Sequence, residues 1–281
     1  MTAAGANGSV PVLFVSDDKT NAVYLFNADN LSAPPLGKIT NGIDAPTDIA
    51  VDTKGVLYVA NARDVAEYQP GALTPFRHLS LGITPASIAV SADGTLAVAG
   101  ERAFEFPGKL FIFDKGALTP TRTITIPLKG ELLERALGVA IDASDDVVLS
   151  ISRYPDGGEM LEYLPGSTNG INTNLGPALG EAFDAGGNFY LCLGSVIDEY
   201  AAGSRQLIRR VTNGLQAAAF LAVTPDGRIF AQNAEQHDFG TGKNIPGDIV
   251  EYGSTGPNPV QKLKSGNVVD PRATAYRAAL S

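Results

Sequence analysis

Five internal copies of a strand–turn–strand unit, a lone sixth first strand at the C-terminus and two N-terminal strands lacking a first strand predict the fold class. The chain is expected to be all-β: a six-bladed β-propeller of four-stranded antiparallel blades, closed when the C-terminal strand pairs with the N-terminal strands in one blade.

The chain opens on MTAAGANGSV, small and polar, which predicts a flexible tether over residues 1–10 ahead of a single propeller over 11–281. Such a start resembles what remains of an exported or lipid-tethered protein once its leader is removed. An extracellular, periplasmic or surface location is the corresponding expectation. Two strands follow, Val12-Leu-Phe-Val-Ser-Asp17 and Ala22-Val-Tyr-Leu-Phe26.

The repeat is clearest next, in Pro46-Thr-Asp-Ile-Ala-Val-Asp52, the turn Thr53-Lys-Gly55, Val56-Leu-Tyr-Val-Ala-Asn61 and Val65-Ala-Glu-Tyr68. Aligning copies on the turn residue (Asp52, Ser91, Asp142, Asp184, Thr224) places Ala50, Ala89, Ala140, Ala182 and Ala222 two residues before it. Matching Pro271 to Pro46 adds Ala275. Innermost strands crowd toward the axis, and a larger side chain at the tightest contact between blades would push the sheets apart. The third-strand aromatics Phe26, Tyr68, Phe113, Tyr163, Tyr200 and Tyr252 recur every 37 to 52 residues, near the ~40–45 residues of a propeller blade. Six alanines and six aromatics give six blades.

At 281 residues with 44% hydrophobic and 18% charged side chains, the chain can bury a sizeable single core; 31 Gly and 18 Pro suit short strands joined by tight turns. No run of about 18 apolar residues exists for a membrane-spanning helix. A formal charge of -9 without any Lys/Arg cluster would repel a phosphate backbone, so nucleic acid is excluded as a partner. The single Cys192, in an alternating apolar run, reads as a small buried hydrophobe.

Loop lengths point to one face. From the position equivalent to Asn61 to the third-strand aromatic, blades three, four and six take 13, 12 and 19 residues where blades two and five take 7. The insertions carry Glu101, Arg102 and Glu105; Arg153, Tyr154 and Asp156; and Glu235, His237 and Asp238. The connection between blades three and four adds Lys129, Glu131, Glu134 and Arg135 to the same face. Long loops on a rigid scaffold are where binding concentrates, so this face is expected to receive a protein, glycan or small molecule. That these are solvated loop residues is the open alternative.

Several motifs read as structural. Glu67, Glu162, Glu199 and Glu251 each precede a third-strand Tyr, and a residue repeated in four blades serves the blade. Asp52, Asp142, Asp184 and Asp226 sit in tight turns with glycines supplying the turn dihedrals. Their D-x-x-G pattern lacks the further acidic positions of a calcium loop. His78 reads as a blade-surface residue in Phe76-Arg-His-Leu-Ser80, whereas His237, between Glu235 and Asp238, is a candidate base or ligand. No G-x-S-x-G, H-E-x-x-H or G-x-x-x-x-G-K-[ST] motif occurs, which excludes catalysis of those kinds.

The runs Pro46 to Asn61 and Tyr68-Gln-Pro-Gly71 resemble NHL-repeat propellers and the wider superfamily of gluconolactonases, strictosidine synthases and virginiamycin B lyases. The resemblance covers nearly the whole chain and is specific for blade type. It implies, for enzymes of that superfamily, a divalent metal on the propeller axis or a His/Glu pair with magnesium. Here the innermost strand starts offer Asp48, Ser87, Gly138, Gly180, Ala219 and Ala273, too few oxygens for a hard cation, and the second-strand tryptophan is absent. The expected function is therefore a non-enzymatic ligand-binding propeller without a resident metal. A calcium- or magnesium-dependent lactonase or lyase with a central pocket is the alternative.

One position departs from the repeat. The residue before each ring alanine reads Ile49, Ile88, Val139, Glu181, Leu221 and Thr274. A carboxylate on an innermost strand is expected to be buried and to need a partner, with Arg272, Thr274, a water or a cation as candidates, or a raised pKa.

Overall fold

The structure is a computed structural model that describes residues 10–102, 105–126, 133–154, 157–238, 243–263, 268 and 270–278, with side chains for all of these except 102, 105, 106, 133, 236–238, 243 and 244. Residues 1–9 of the tether expected over 1–10, and Lys129, Glu131 and Asp156, lie outside the described residues.

Blade one is assembled from both ends of the chain: Pro271–Arg277 pairs antiparallel with Val12–Asp17, which is followed by Ala22–Asn27 and Gly37–Ile39. Blade two runs Asp48–Val51, Leu57–Ala60, Asp64–Tyr68 and Arg77–Ser80. Blade three runs Thr84–Val90, Leu96–Arg102, Glu105–Phe113 and Arg122–Thr125; blade four runs Leu133–Ile141, Val147–Tyr154, Glu159–Tyr163 and Ile171–Asn172. Blade five comprises Gly180–Phe183, Phe189–Cys192, Ile197–Tyr200 and Leu207–Val211, and blade six Ala218–Val223, Ile229–Asn233, Asp248–Tyr252 and Pro259–Lys262.

The core lies between blades, in six apolar clusters that each join one blade to the next. Each ring alanine packs toward the following blade: Ala50 with Ile88 and Val98, Ala89 with Val139 and Val147, and onward round the ring to Ala275 with Ile49 and Leu57. The residue before each alanine faces the opposite way, as strand alternation requires. Burying these faces against both neighbours is what closes the ring, since a single sheet has only one partner to offer its second face.

The turn and third-strand repeats hold the blades. Asp52 Oδ1 accepts from Lys54 N and Val56 N, and Asp142 and Asp184 accept from the matching amides. Glu67, buried, takes two hydrogen bonds from Arg77 across the third and fourth strands, and Glu199 pairs with Arg209 at the same register. Glu162 and Glu251 pair with Arg205 and Arg228. His78 is an exposed strand residue with Nδ1 2.8 Å from Asp64, and Cys192 is buried in the cluster between blades five and six.

Two expectations are corrected. Much of what reads as loop is strand: Glu101 and Arg102 end a seven-residue strand, and Glu134 and Arg135 pair with Arg153 and Ser152 in a nine-residue inner strand of blade four. In blade six the insertion folds as a hairpin, Gln236–Asp238 on Lys243–Ile245. The innermost start of blade six is Phe220, not Ala219. Phe220 opposes Gln232 as Asp48 opposes Ala60, and Ala219 is the extra residue of a β-bulge. Blades three and four carry the same bulge, at Ala86 and Leu137. Each bulge precedes its inner-strand start, so four residues back from Thr224 is Phe220, as four back from Asp52 is Asp48.

Candidate functional site

The inner-strand starts and the second-to-third connections of blades one, two, three, four and six meet at one end of the axis around an open cup of about 750 Å³. The bulges help to build it, because each re-aims one side chain; Ala86 and Leu137 both line the cup. Phe220 lines it from blade six and also packs against the apolar cluster of blades one and two, so its ring lies across the axis where other blades place Asp48, Ser87 or glycine.

Charged groups stand on opposite sides. On the wall of blades three and four, Glu101 Oε1 lies 3.4 Å from Arg135 Nε. Blade one, three blades round the ring from blade four, supplies Arg272, whose guanidinium lies 3.1 Å from both Asp18 and Asp270. Burial pushes the Glu101 carboxyl above its usual range, with Arg135 opposing. Asp270 is likewise raised by burial, against Arg272 and Lys19.

At the level of Phe220 two carboxyls are buried along the axis. Asp48 accepts from Ser87 Oγ and Ile88 N, both at 2.8 Å, and from Ile49 N. Glu181 reaches from blade five to blade four and accepts from Ser150 N and Oγ at 3.2 Å. Its carboxyl occupies the space left by Gly138, where an added Cβ would lie 2.2 Å from Oε2. Burial raises Asp48 to about 7 and Glu181 to about 8, the Asp48 charge adding to the latter. The expected burial and raised pKa of Glu181 are thus present, but neither Arg272 nor Thr274 is its partner: Arg272 is held by Asp18 and Asp270, and Thr274 Oγ donates to the Phe230 carbonyl.

The sequence-predicted residues therefore separate. Glu101, Arg135 and Arg272 share the cup. Glu134 and Arg153 do not reach it: Arg153 Nε donates to Glu134 at 2.6 Å and its Nη1 to Glu159, all three buried inside blade four. They brace the long hairpin, because a buried guanidinium needs carboxylates around it. Tyr154 points outward, 61% exposed, and does not line the cup. The side chains of Arg102, Glu105, His237 and Asp238 lie outside the described residues.

Among the cup residues missed from sequence are its aromatic ring, Phe220, and a second acid, Asp18. Counting four residues back from Thr224 reaches Phe220, and Asp18 occupies the slot of Glu101 and Ala62, one past the Asp17, Gly100 and Asn61 positions. Both signals were present in the repeat.

No known family profile matches the chain, and no curated protein matches it. Solved structures do. It is similar to a protein of unknown function from Bacteroides caccae, whose 1.35 Å crystal structure aligns with a TM-score of 0.72 at 16% identity over 96% of this chain and 99% of that one. As 1183 solved chains match, this likeness shows the fold alone.

For a divalent cation the axis offers Asp48 and Glu181 with the Ser87 and Ser150 hydroxyls, and these oxygens already accept from backbone amides and one another. No group of three or more His, Cys, Asp or Glu placed to hold a metal occurs among the described residues. The axial donor set does not fit a hard cation that wants six or more oxygens. At the opposite end of the axis a second hollow of about 500 Å³ lies among the tight turns, beside Asp52, Asp184 and Arg277.

Proposed function

We propose that the chain is a binding module of the propeller class that receives a small ligand in the cup on its long-connection face. The observation that carries this reading is the cup itself: about 750 Å³, floored by Phe220 and flanked by charged pairs on opposite blades. Small-molecule sites are concave, of roughly 300–1,000 Å³, largely apolar with a few polar groups fixing orientation. A concave cup favours a small molecule over a protein surface. Phe220 is its one aromatic lining residue among those described, which gives little stacking area for a glycan. Pairing of the charged groups with one another suits holding and orienting a ligand.

The test is a ligand-observed NMR screen of a few hundred fragments against the wild-type protein and Ala62→Trp, which fills the cup from its rim. Hits that bind the wild type and are lost in the variant support the reading. Hits that bind both alike overturn it.

The second reading, a metal-dependent lactonase or lyase akin to the gluconolactonase superfamily, is favoured by the two axial carboxyls and opposed by their donor set. A ligand that binds only the folded state raises its apparent stability. Calcium or magnesium at millimolar concentration should leave Tm unchanged; a rise lost in Glu181→Gln would favour the enzyme.

A further inference from the structure

Resting on the cup reading, the chemistry of the walls says which kind of molecule belongs there. The carboxylate of Glu101 is four-fifths buried, yet its only described partner is Arg135 at 3.4 Å, beyond good hydrogen-bonding distance, and its second oxygen has no partner. Glu67, by contrast, has two bonds from one guanidinium and Asp48 has three donors; Glu251 shares an unmet oxygen but does not line the cup. A buried acceptor left unmade is costly, so Glu101 is the group in the cup that awaits a donor.

The surroundings set the sign of that donor. Arg135 is more than half exposed, so its charge is largely spent on water. Across the axis Arg272 is shared by two carboxylates, Asp18 and Asp270. Among the described side chains in and behind the cup, the four acids Glu101, Asp18, Asp270 and Glu235 face the three cations Arg135, Arg272 and Lys19. The field at the cup favours a cation, while Leu137, Pro85 and Phe220 present an apolar bed. The terminal torsion of glutamate is soft, so either oxygen can turn toward a donor in the cup.

We propose that the cup binds a primary amine on a short apolar body, its ammonium group donating to the Glu101 carboxylate and its body resting on Phe220. Charge-assisted N–H···O bonds are about twice as strong as neutral ones, and an apolar body adds contact that a bare ammonium ion lacks.

The probes are 2-phenylethylamine, its neutral counterpart 2-phenylethanol and its anionic counterpart 3-phenylpropionate, titrated by protein-observed NMR at neutral pH against wild type, Glu101→Gln and Ala62→Trp. The expected result is that the amine binds at least tenfold more tightly than either counterpart. Glu101→Gln should erase that preference, and Ala62→Trp should abolish binding of all three. If the probes bind wild type with equal affinity, or Glu101→Gln keeps the preference for the amine, the amine assignment is overturned while the cup stands. If the probes bind and Ala62→Trp leaves them unaffected, or none of them binds wild type, the assignment falls. The fragment screen then decides the cup separately. Unchanged backbone shifts outside the cup in both variants exclude misfolding as the cause of any loss.

Discussion

Replacing Glu181 by glutamine is expected to flatten the pH dependence of stability. Burial first, then the Asp48 charge, raises this carboxyl from 4.5 to about 8, against two hydrogen bonds from Ser150. In the unfolded chain it returns to its ordinary value. Between those limits the folded protein holds a proton that the unfolded chain has released, so stability falls as pH rises. The contribution is fully present below pH 4.5 and gone above about pH 8. At about 1.4 kcal/mol per pH unit, that interval is worth about 5 kcal/mol if the site keeps its geometry. Asp48, raised to about 7, acts in the same direction over an overlapping window and leaves the variant a residual slope. Glutamine keeps an acceptor for Ser150 and cannot ionise. Urea unfolding followed by far-UV circular dichroism at about pH 5, 7 and 9 should show wild type and variant similar at the lowest pH and the variant more stable by several kcal/mol at the highest. Parallel pH profiles for the two proteins would refute the burial of a protonated Glu181.

Three other perturbations bear on the fold. Arg77→Ala leaves Glu67 buried without its guanidinium and should cost about 3–5 kcal/mol in urea unfolding, whereas the Glu67→Leu/Arg77→Leu pair should cost far less; equal losses would contradict the pairing. Gly138→Ala puts a methyl group where the Glu181 carboxyl lies and should destabilise by about 1–3 kcal/mol, a penalty that shrinks in a Glu181→Ala background, as a double-mutant cycle would read. Deleting residues 270–281 removes the inner strand of blade one and bares the edge of Val12–Asp17, so cooperative thermal unfolding should be lost and association gained; an unaltered transition would contradict closure by that strand.

The fold was legible because a repeat states the same packing problem six times. Ala50, Ala89, Ala140, Ala182, Ala222 and Ala275 mark the axis, and the split of blade one between the termini follows from counting strands. The site was legible only in part. Glu101 and Arg135 were found from their place on the long-connection face and Arg272 only as a candidate partner of Glu181, but Arg153 and Glu134 sit on the same stretch and turn inward. Polarity and position do not distinguish a residue facing solvent from one bracing a strand; that depends on the one-residue alternation of a hairpin whose length was unknown. Phe220 stands four residues before Thr224, as Asp48 stands four before Asp52, so it was legible and was passed over for Ala219. The departure at Glu181 was visible, yet its partner Ser150 was not, because the contact depends on the empty side of Gly138 in the neighbouring blade.

The most direct test of the cup as the ligand site is a high-resolution crystal structure of the protein captured with whatever it retains from its natural source. Density for a small molecule over Phe220, with a donor turned toward Glu101, is the result predicted here. A ligand seated instead in the hollow beside Asp52, Asp184 and Arg277, with only water in the cup, would contradict it.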